Sequence, residues 1–136
     1  MQIQLLHHVA LPVTDLDRSV GFYRDILGLE QIARPAFPFP GAWFRLLGAQ
    51  ELHLIVHTNP TYRVGKTVDD RDIHFAARVG SYREVLDFLR AKGYREDSSD
   101  DLMKIRLNPH SITGYPQLYI MDPDRHMIEI NAARLD

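Results

Sequence analysis

Hydrophobic residues in the first half of the chain recur with two different periods, which predict a strand followed by a helix. Residues 3–13 alternate and are rich in Leu and Val, as expected of a strand. Thr14 or Asp15 then caps a helix that ends at Gly28. One stripe of this helix is apolar and consists of Leu16, Val20, Tyr23 and Leu27.

Three strands are predicted after this helix, and the first is short, at about 29–34. The segment 34–41, RPAFPFPG, is too rich in proline for regular structure and is predicted to be a loop. Two further strands, Ala42–Leu47 and Glu51–His57, are joined by a tight turn. The first half therefore has the order strand, helix and three strands.

The second half repeats the beginning of this order. A strand at 72–79 precedes the capping box Ser81-x-x-Glu84, which opens a second helix. The predicted buried face of that helix consists of Val85, Leu86, Phe88 and Leu89. The long polar segment 97–115 is predicted to be a loop. Two strands, 117–121 and 126–132, flank a turn and complete the half.

The two halves are copies of one pattern, because the chain aligns with itself at two offsets. A shift of 66 positions (74 minus 8) places LHHVALPV on DIHFAARV and pairs His8 with His74. A shift of 76 positions (129 minus 53) places GAWFRLLGAQELHLIV on QLYIMDPDRHMIEINA and pairs His53 with Glu129. A unit of roughly 65–75 residues is the size of half a small domain. We therefore predict a single domain, 1–136, made of module one at 1–57, a polar linker at 58–71 and module two at 72–136.

Composition excludes several classes of function. The chain has 136 residues, of which 45% are hydrophobic and 25% charged, as in an ordinary globular domain. A formal net charge of −2 and the lack of a basic run argue against a nucleic-acid or membrane partner. The absence of cysteine excludes disulfides and thiolate ligands. With no export signal and no apolar run of bilayer length, we expect a cytoplasmic protein.

Four ionisable side chains stand at the repeated strand positions, and we interpret them as metal ligands. His8 and His74 lie on the first strand of each half, and His53 and Glu129 lie on the last. An apolar residue lies next to each of them in its strand, so each faces away from an apolar side of that strand. Because a buried ionisable group needs a partner, one divalent cation bound by all four would satisfy the set. Imidazole and carboxylate together suit Fe, Mn, Co, Ni or Zn.

The same segments carry a resemblance to a known family. The opening LHHVALPVTDLDRSVGFYRDILGL and the ending IMDPDRHMIEI resemble the vicinal oxygen chelate superfamily, which includes glyoxalases, bleomycin-resistance proteins and extradiol dioxygenases. The resemblance implies an α+β fold of two tandem βαβββ modules that form an open, cupped mixed β-sheet with outer helices. It also implies a homodimer and a divalent metal held by His8, His53, His74 and Glu129. His53 stands where lactoylglutathione lyases of this superfamily usually have glutamate.

These ligands favour a metal-dependent lyase or isomerase of glyoxalase type, acting on a small molecule that chelates the metal through adjacent oxygens. Proton transfer is assigned to Glu129, as the resemblance to glyoxalases suggests, or otherwise to a metal-bound hydroxide or to His57, which shares strand parity with His53. The first alternative is an extradiol-type ring-cleaving dioxygenase, in which His8, His74 and Glu129 bind Fe(II). The second is a small-molecule binding or resistance protein without turnover.

Overall fold

The computed structural model describes residues 1–57, 59 and 63–136, and the chain divides into two compact units. Unit one comprises Met1–Val64 and unit two comprises Gly65–Asp136. The predicted linker 58–71 spans this division, and its residues 58 and 60–62 lie outside the described residues. The predicted single domain and its module boundaries stay predictions. No helix in the described part of the chain is both long and apolar enough to cross a membrane.

Unit one is a four-stranded mixed sheet with one face against a helix. Its elements are β1 (His8–Val13), α1 (Leu16–Asp25), β2 (Glu30–Ile32), β3 (Gly41–Arg45) and β4 (Glu51–Val56). The strand order is β1-β4-β3-β2, with β1 parallel to β4 and the other neighbours antiparallel. The predicted strand at 3–13 is too long, because β1 begins only at His8, where its partner β4 also begins, at Glu51.

Unit two has the same architecture. Its elements are β5 (His74–Val79), α2 (Tyr82–Ala91), a 3₁₀ turn (Asp101–Met103), β6 (Arg106–Asn108), β7 (Gln117–Met121) and β8 (Met127–Ala132). The strand order is β5-β8-β7-β6, which reproduces the order of unit one. The prediction of an irregular loop at 97–115 is wrong in part, because β6 pairs there with β7. A three-residue edge strand is too short to show alternation in the sequence.

Pairing register confirms the internal repeat. In unit one, Ala10 of β1 is opposite His53 of β4, and Trp43 of β3 is opposite the same histidine. In unit two, Ala76 and Tyr119 are opposite Glu129 in the equivalent way. The predicted α+β fold of two βαβββ modules is thereby confirmed, with a mixed sheet in each unit.

Both helices begin where the sequence predicts. The Asp15 carboxylate accepts the Arg18 N–H at 3.0 Å, and the Ser81 hydroxyl accepts the Glu84 N–H at 3.0 Å. These contacts satisfy backbone donors that the first turn of a helix leaves without a partner. In each unit, the cap thus fixes the residue at which the helix begins after the first strand.

Each helix buries one apolar stripe against its sheet. The fully buried side chains of unit one include Val13, Tyr23, Phe44, Leu52 and Leu54, and those of unit two include Leu89, Leu118, Ile120 and Ile128. The prediction that Phe88 belongs to the buried face of α2 is wrong, because 38% of Phe88 is exposed. The Lys92 ammonium lies over its ring, 5.4 Å from the centroid. Leu89, another residue of the predicted buried face of α2, is fully buried.

Candidate metal centre

The four predicted ligands form two pairs, one in each unit. His8 and His53 lie on the adjacent strands β1 and β4, two residues apart in register and on the same face of the sheet. His74 and Glu129 have the same relation on β5 and β8. Among the described residues, no group of three or more His, Cys, Asp or Glu side chains is arranged to hold a metal ion.

In unit one, the His53 imidazole lies in a stack of three rings. Trp43 stacks on it with centroids 4.1 Å apart and planes 5° apart, and His8 stacks with centroids 4.3 Å apart and planes 16° apart. His53 is nearly buried, with 9% of its surface exposed. Such contacts fix the plane of the ring without using its nitrogen atoms.

Hydrogen bonds occupy nitrogen atoms of this stack. The His53 Nε2 lies 2.7 Å from the Glu51 Oε2 and donates to it, because a carboxylate can only accept. This hydrogen bond holds the pKa of Glu51 below its ordinary value. The Nδ1 atoms of His7 and His8 lie 2.9 Å apart, so one ring donates and the other accepts. One ring nitrogen of His53 and one of His8 thus have partners within the unit.

In unit two, Glu129 is buried and receives several hydrogen bonds. Its Oε1 accepts the Asn131 Nδ2 at 2.7 Å and the Gln117 Nε2 at 3.1 Å. Its Oε2 accepts the Tyr119 hydroxyl at 3.0 Å and lies 3.4 Å from the His74 Nε2. Burial, and then the hydrogen bond to Glu129, raise the pKa of the Tyr119 phenol. The phenol therefore stays protonated and continues to donate.

The second nitrogen of His74 determines what the ring can bind. Its Nδ1 lies 2.7 Å from the Asp72 carbonyl oxygen, which can only accept, so the Nδ1 carries a proton. In the neutral ring the Nε2 is then an acceptor, and it faces the Glu129 Oε2. A metal-binding histidine commonly donates its other N–H to a carbonyl in this way.

Two atoms of unit two, the His74 Nε2 and the Glu129 Oε2, are spaced to bind one divalent ion. Two ligand atoms that each lie about 2.1 Å from one ion at a tetrahedral angle are about 3.4 Å apart. The His74 Nε2 and the Glu129 Oε2 are separated by 3.4 Å. A cation between these two acceptors would satisfy both of them.

The ring nitrogens of His8 and His53 in unit one can bind one such ion together only after a ring turns. An imidazole binds a metal in the plane of its ring, and stacked rings such as His8 and His53 have separate, nearly parallel planes. One ring must turn before both can bind a common ion, and the His53 Nε2 must also leave Glu51 if it is the binding atom.

His57, the other predicted catalytic residue, follows the end of β4 and is exposed. Its Nδ1 lies 3.0 Å from the Asn59 carbonyl oxygen and 3.2 Å from the Asn59 backbone nitrogen. Its backbone N–H donates to the Val13 carbonyl oxygen at 2.9 Å. The role of His57 as a base stays a prediction.

Sequence reasoning missed the residues that contact the predicted ligands. Glu51 lies two residues before His53 on the same strand face, and Asn131 lies two residues after Glu129. Gln117 is opposite Asn131 on β7. The available signal was strand parity, since each is a polar residue at a position that alternates with buried apolar residues.

Comparisons with known proteins agree with this architecture. The family model of the Glyoxalase/Bleomycin resistance protein/Dioxygenase superfamily matches residues 5–130. Glyoxylase I 4 of Arabidopsis thaliana is 30% identical over 132 residues, which cover 96% of this chain and 71% of that protein.

Two solved structures share the fold. A crystal structure described as a glyoxalase family protein, from Bacillus anthracis, has a TM-score of 0.74 at 22% identity, with 97% of each chain covered. A mutant of the fosfomycin resistance protein FosX from Listeria monocytogenes, complexed with Mn(II) and 1S,2S-dihydroxypropylphosphonic acid, has a TM-score of 0.69 at 19% identity. That match covers 98% of this chain and 95% of the other.

Proposed function

Because the chain belongs to the Glyoxalase/Bleomycin resistance protein/Dioxygenase superfamily, we propose that it is a divalent-metal-dependent enzyme of glyoxalase type. The proposed reaction is that of a lyase or isomerase. Its substrate is a small molecule that chelates the metal through adjacent oxygens. A homodimer and a cytoplasmic location belong to the same proposal.

The observation that carries this proposal is the arrangement of His74 and Glu129. In a neutral His74 ring with a protonated Nδ1, the Nε2 is an acceptor, and it lies 3.4 Å from a second acceptor, the Glu129 Oε2. The Glu129 side chain is buried, with 7% of its surface exposed, while the His74 side chain keeps 28% exposed. Two such acceptors side by side favour a cation between them.

The proposed ligand set is His8, His53, His74 and Glu129. Imidazole and carboxylate donors without sulfur suit Fe, Mn, Co, Ni or Zn. When bound, such a cation supplies Lewis-acid stabilisation of negative charge on a substrate oxygen. Proton movement on the neighbouring carbon is assigned to Glu129 or to the exposed His57 imidazole.

A second function, ring-cleaving dioxygenase chemistry, is favoured by one feature of unit one. His53 is held by Glu51 at 2.7 Å and stacked on Trp43, so it can remain apart from a metal. His8, His74 and Glu129 then form the two-histidine, one-carboxylate set that non-haem Fe(II) enzymes use. Oxygen uptake by the Fe(II)-loaded protein with simple catechols would favour this function over the lyase or isomerase.

Metal content tests both functions against ligand binding without turnover. We expect about one divalent ion per chain after removal by a chelator and repletion, measured by elemental analysis. His74→Ala should lose most of it, whereas His110→Ala, which changes an exposed histidine of a turn, should not. Equal retention by His74→Ala and the wild-type chain would contradict the assignment, and a metal-free wild type would favour the binding protein.

A further inference from the structure

The two oxygens of the Glu129 carboxylate have different surroundings. Oε1 accepts two amide N–H groups, from Gln117 and Asn131, while Oε2 faces His74 and the Tyr119 hydroxyl. Gln117, Glu129 and Asn131 are each only 5–6% exposed. Hydrogen bonds from donors to a buried carboxylate are stronger than neutral ones. Oε1 thus accepts two hydrogen bonds from amide side chains, whereas Oε2 accepts one, from Tyr119, and also faces His74.

The two amides are themselves fixed. Gln117 and Asn131 are direct partners in the pairing of β7 with β8. The Gln117 side-chain oxygen accepts the Asn108 Nδ2 at 3.0 Å. Gln117 therefore cannot turn away from Glu129 without breaking a second hydrogen bond. We call Gln117 and Asn131 the amide clamp.

The sheet itself does not require these amides. The equivalent register positions in unit one are Gly41 and Ile55, which have no polar side chain, and the same four-stranded sheet forms there. Moreover, the Asn131 side-chain oxygen is buried and has no hydrogen-bond partner among the described residues. A buried orphan acceptor is costly, so the side chain is placed for its donor rather than for its own pairing.

We propose that Gln117 and Asn131 are positioning residues that restrict Glu129 to binding a metal through Oε2 alone and hold its carboxylate in place. This inference rests on the proposed metal site. Leaving the metal would require Glu129 to break two hydrogen bonds in a buried setting. Glu129 then acts as a fixed ligand, and proton transfer falls to another group, for which His57 is the candidate.

The first test measures Co²⁺ binding to the metal-free protein by titration and by visible absorption. Gln117→Met keeps the volume and removes the donor, and we expect about tenfold weaker binding. The absorption should also weaken, because a released Oε1 can bind the ion as well and raise its coordination number. Asn131→Leu should have the same two effects.

Tyr82→Phe is the matched control, because it removes a buried hydrogen bond to the backbone of Gln117 and leaves the clamp intact. It should bind Co²⁺ with wild-type affinity and spectrum. Wild-type affinity and spectrum in both clamp variants would overturn the proposal. So would equal weakening in Tyr82→Phe, since that would show a general loss of structure.

The second test needs no metal. In the apoprotein, we expect the side-chain amide proton resonances of Gln117 and Asn131 to shift in Glu129→Gln, while those of the exposed Asn59 stay in place. Unchanged Gln117 and Asn131 resonances would overturn the clamp. A wild-type chain that binds no Co²⁺ would instead refute the proposed metal enzyme and the ligand-fixing role together, even if the resonances shift.

Discussion

His53 of unit one and Glu129 of unit two occupy equivalent positions in two sheets of the same topology, yet they are held in different ways. His53 lies between the rings of Trp43 and His8, and Glu129 accepts hydrogen bonds from Gln117, Asn131 and Tyr119. The backbone pairing that places them is the same. The difference lies in which side chains fill the surrounding positions.

That difference follows the chemistry of each ligand. An imidazole can be oriented by stacking, because its ring faces bind other rings. A buried carboxylate needs donors, because its charge is costly without them. The two units thus provide equivalent strand positions for His53 and Glu129. The neighbouring side chains in each unit suit the residue at that position. In the proposed metal site, His74 and Glu129 can bind a cation as they stand, whereas His8 and His53 must first unstack.

The largest predicted effect is a difference in metal affinity between a variant of the His74–Glu129 pair and a variant of the His8–His53 pair. His74→Ala should weaken divalent-metal binding by about a hundredfold, because it removes a ligand already in place. His53→Ala should cost only about tenfold, because His53 must give up its stack and its Glu51 hydrogen bond before it binds. Isothermal titration of both variants with Zn²⁺ measures the ratio. A larger loss for His53→Ala would reverse the comparison of the two units.

A second difference concerns space rather than charge. Gly41 of β3 is equivalent to Gln117 of β7, but a Cβ at Gly41 would collide with the Leu54 carbonyl oxygen. Gly41→Ala should therefore lower the free energy of unfolding by about 2 kcal/mol. Gly80→Ala, where a Cβ meets nothing within 4 Å, is the control and should change it little. Urea denaturation distinguishes them, and equal midpoints would contradict the close approach in unit one.

The sequence predicts the strand positions of the four candidate ligands, but it does not predict the side chains that surround them. The internal repeat predicts that His8, His53, His74 and Glu129 take equivalent strand positions, because register follows from alternation. It gives no information about the groups that hold each ligand. Gln117 aligns with a glycine, so comparison of the halves conceals the amide clamp. Only the pairing of strands distant in sequence brings Gln117 and Glu129 together.

A third prediction concerns Tyr94, a buried tyrosine of unit two. Burial raises the pKa of Tyr94 to about 12, so the folded state disfavours its ionisation. The contribution of Tyr94 to stability is complete below the ordinary tyrosine pKa and is lost as pH rises through its raised value. Over that window the wild type should lose about 1 kcal/mol, a figure reduced for partial screening, and Tyr94→Phe should lose less. Urea denaturation at alkaline pH tests this, and parallel losses would exclude Tyr94 as the cause.

The smallest effects should distinguish the two helix caps. The α1 N-terminus depends on the Asp15 carboxylate, whereas α2 has Ser81 and also the Asp136 carboxylate, which accepts the Arg83 N–H at 3.0 Å. Asp15→Ala should cost about 1 kcal/mol, and Ser81→Ala only about half of that, since one backbone donor keeps its partner. Equal costs in urea denaturation would show that Asp136 contributes nothing to the α2 cap.

The pH dependence of stability in a further variant, Asp136→Asn, gives the final test of the difference between the two caps. Hydrogen bonds from the Ser81 hydroxyl and then the Arg83 N–H lower the pKa of Asp136. Its contribution is therefore complete above the ordinary pKa of aspartate and is lost as pH falls through the lowered value. In Asp136→Asn, this acid-dependent part of the stability should be absent, while the loss at neutral pH should be small because the group is exposed. An unchanged acid profile in Asp136→Asn would mean that Ser81 alone caps α2, and the two helices would then begin in the same way.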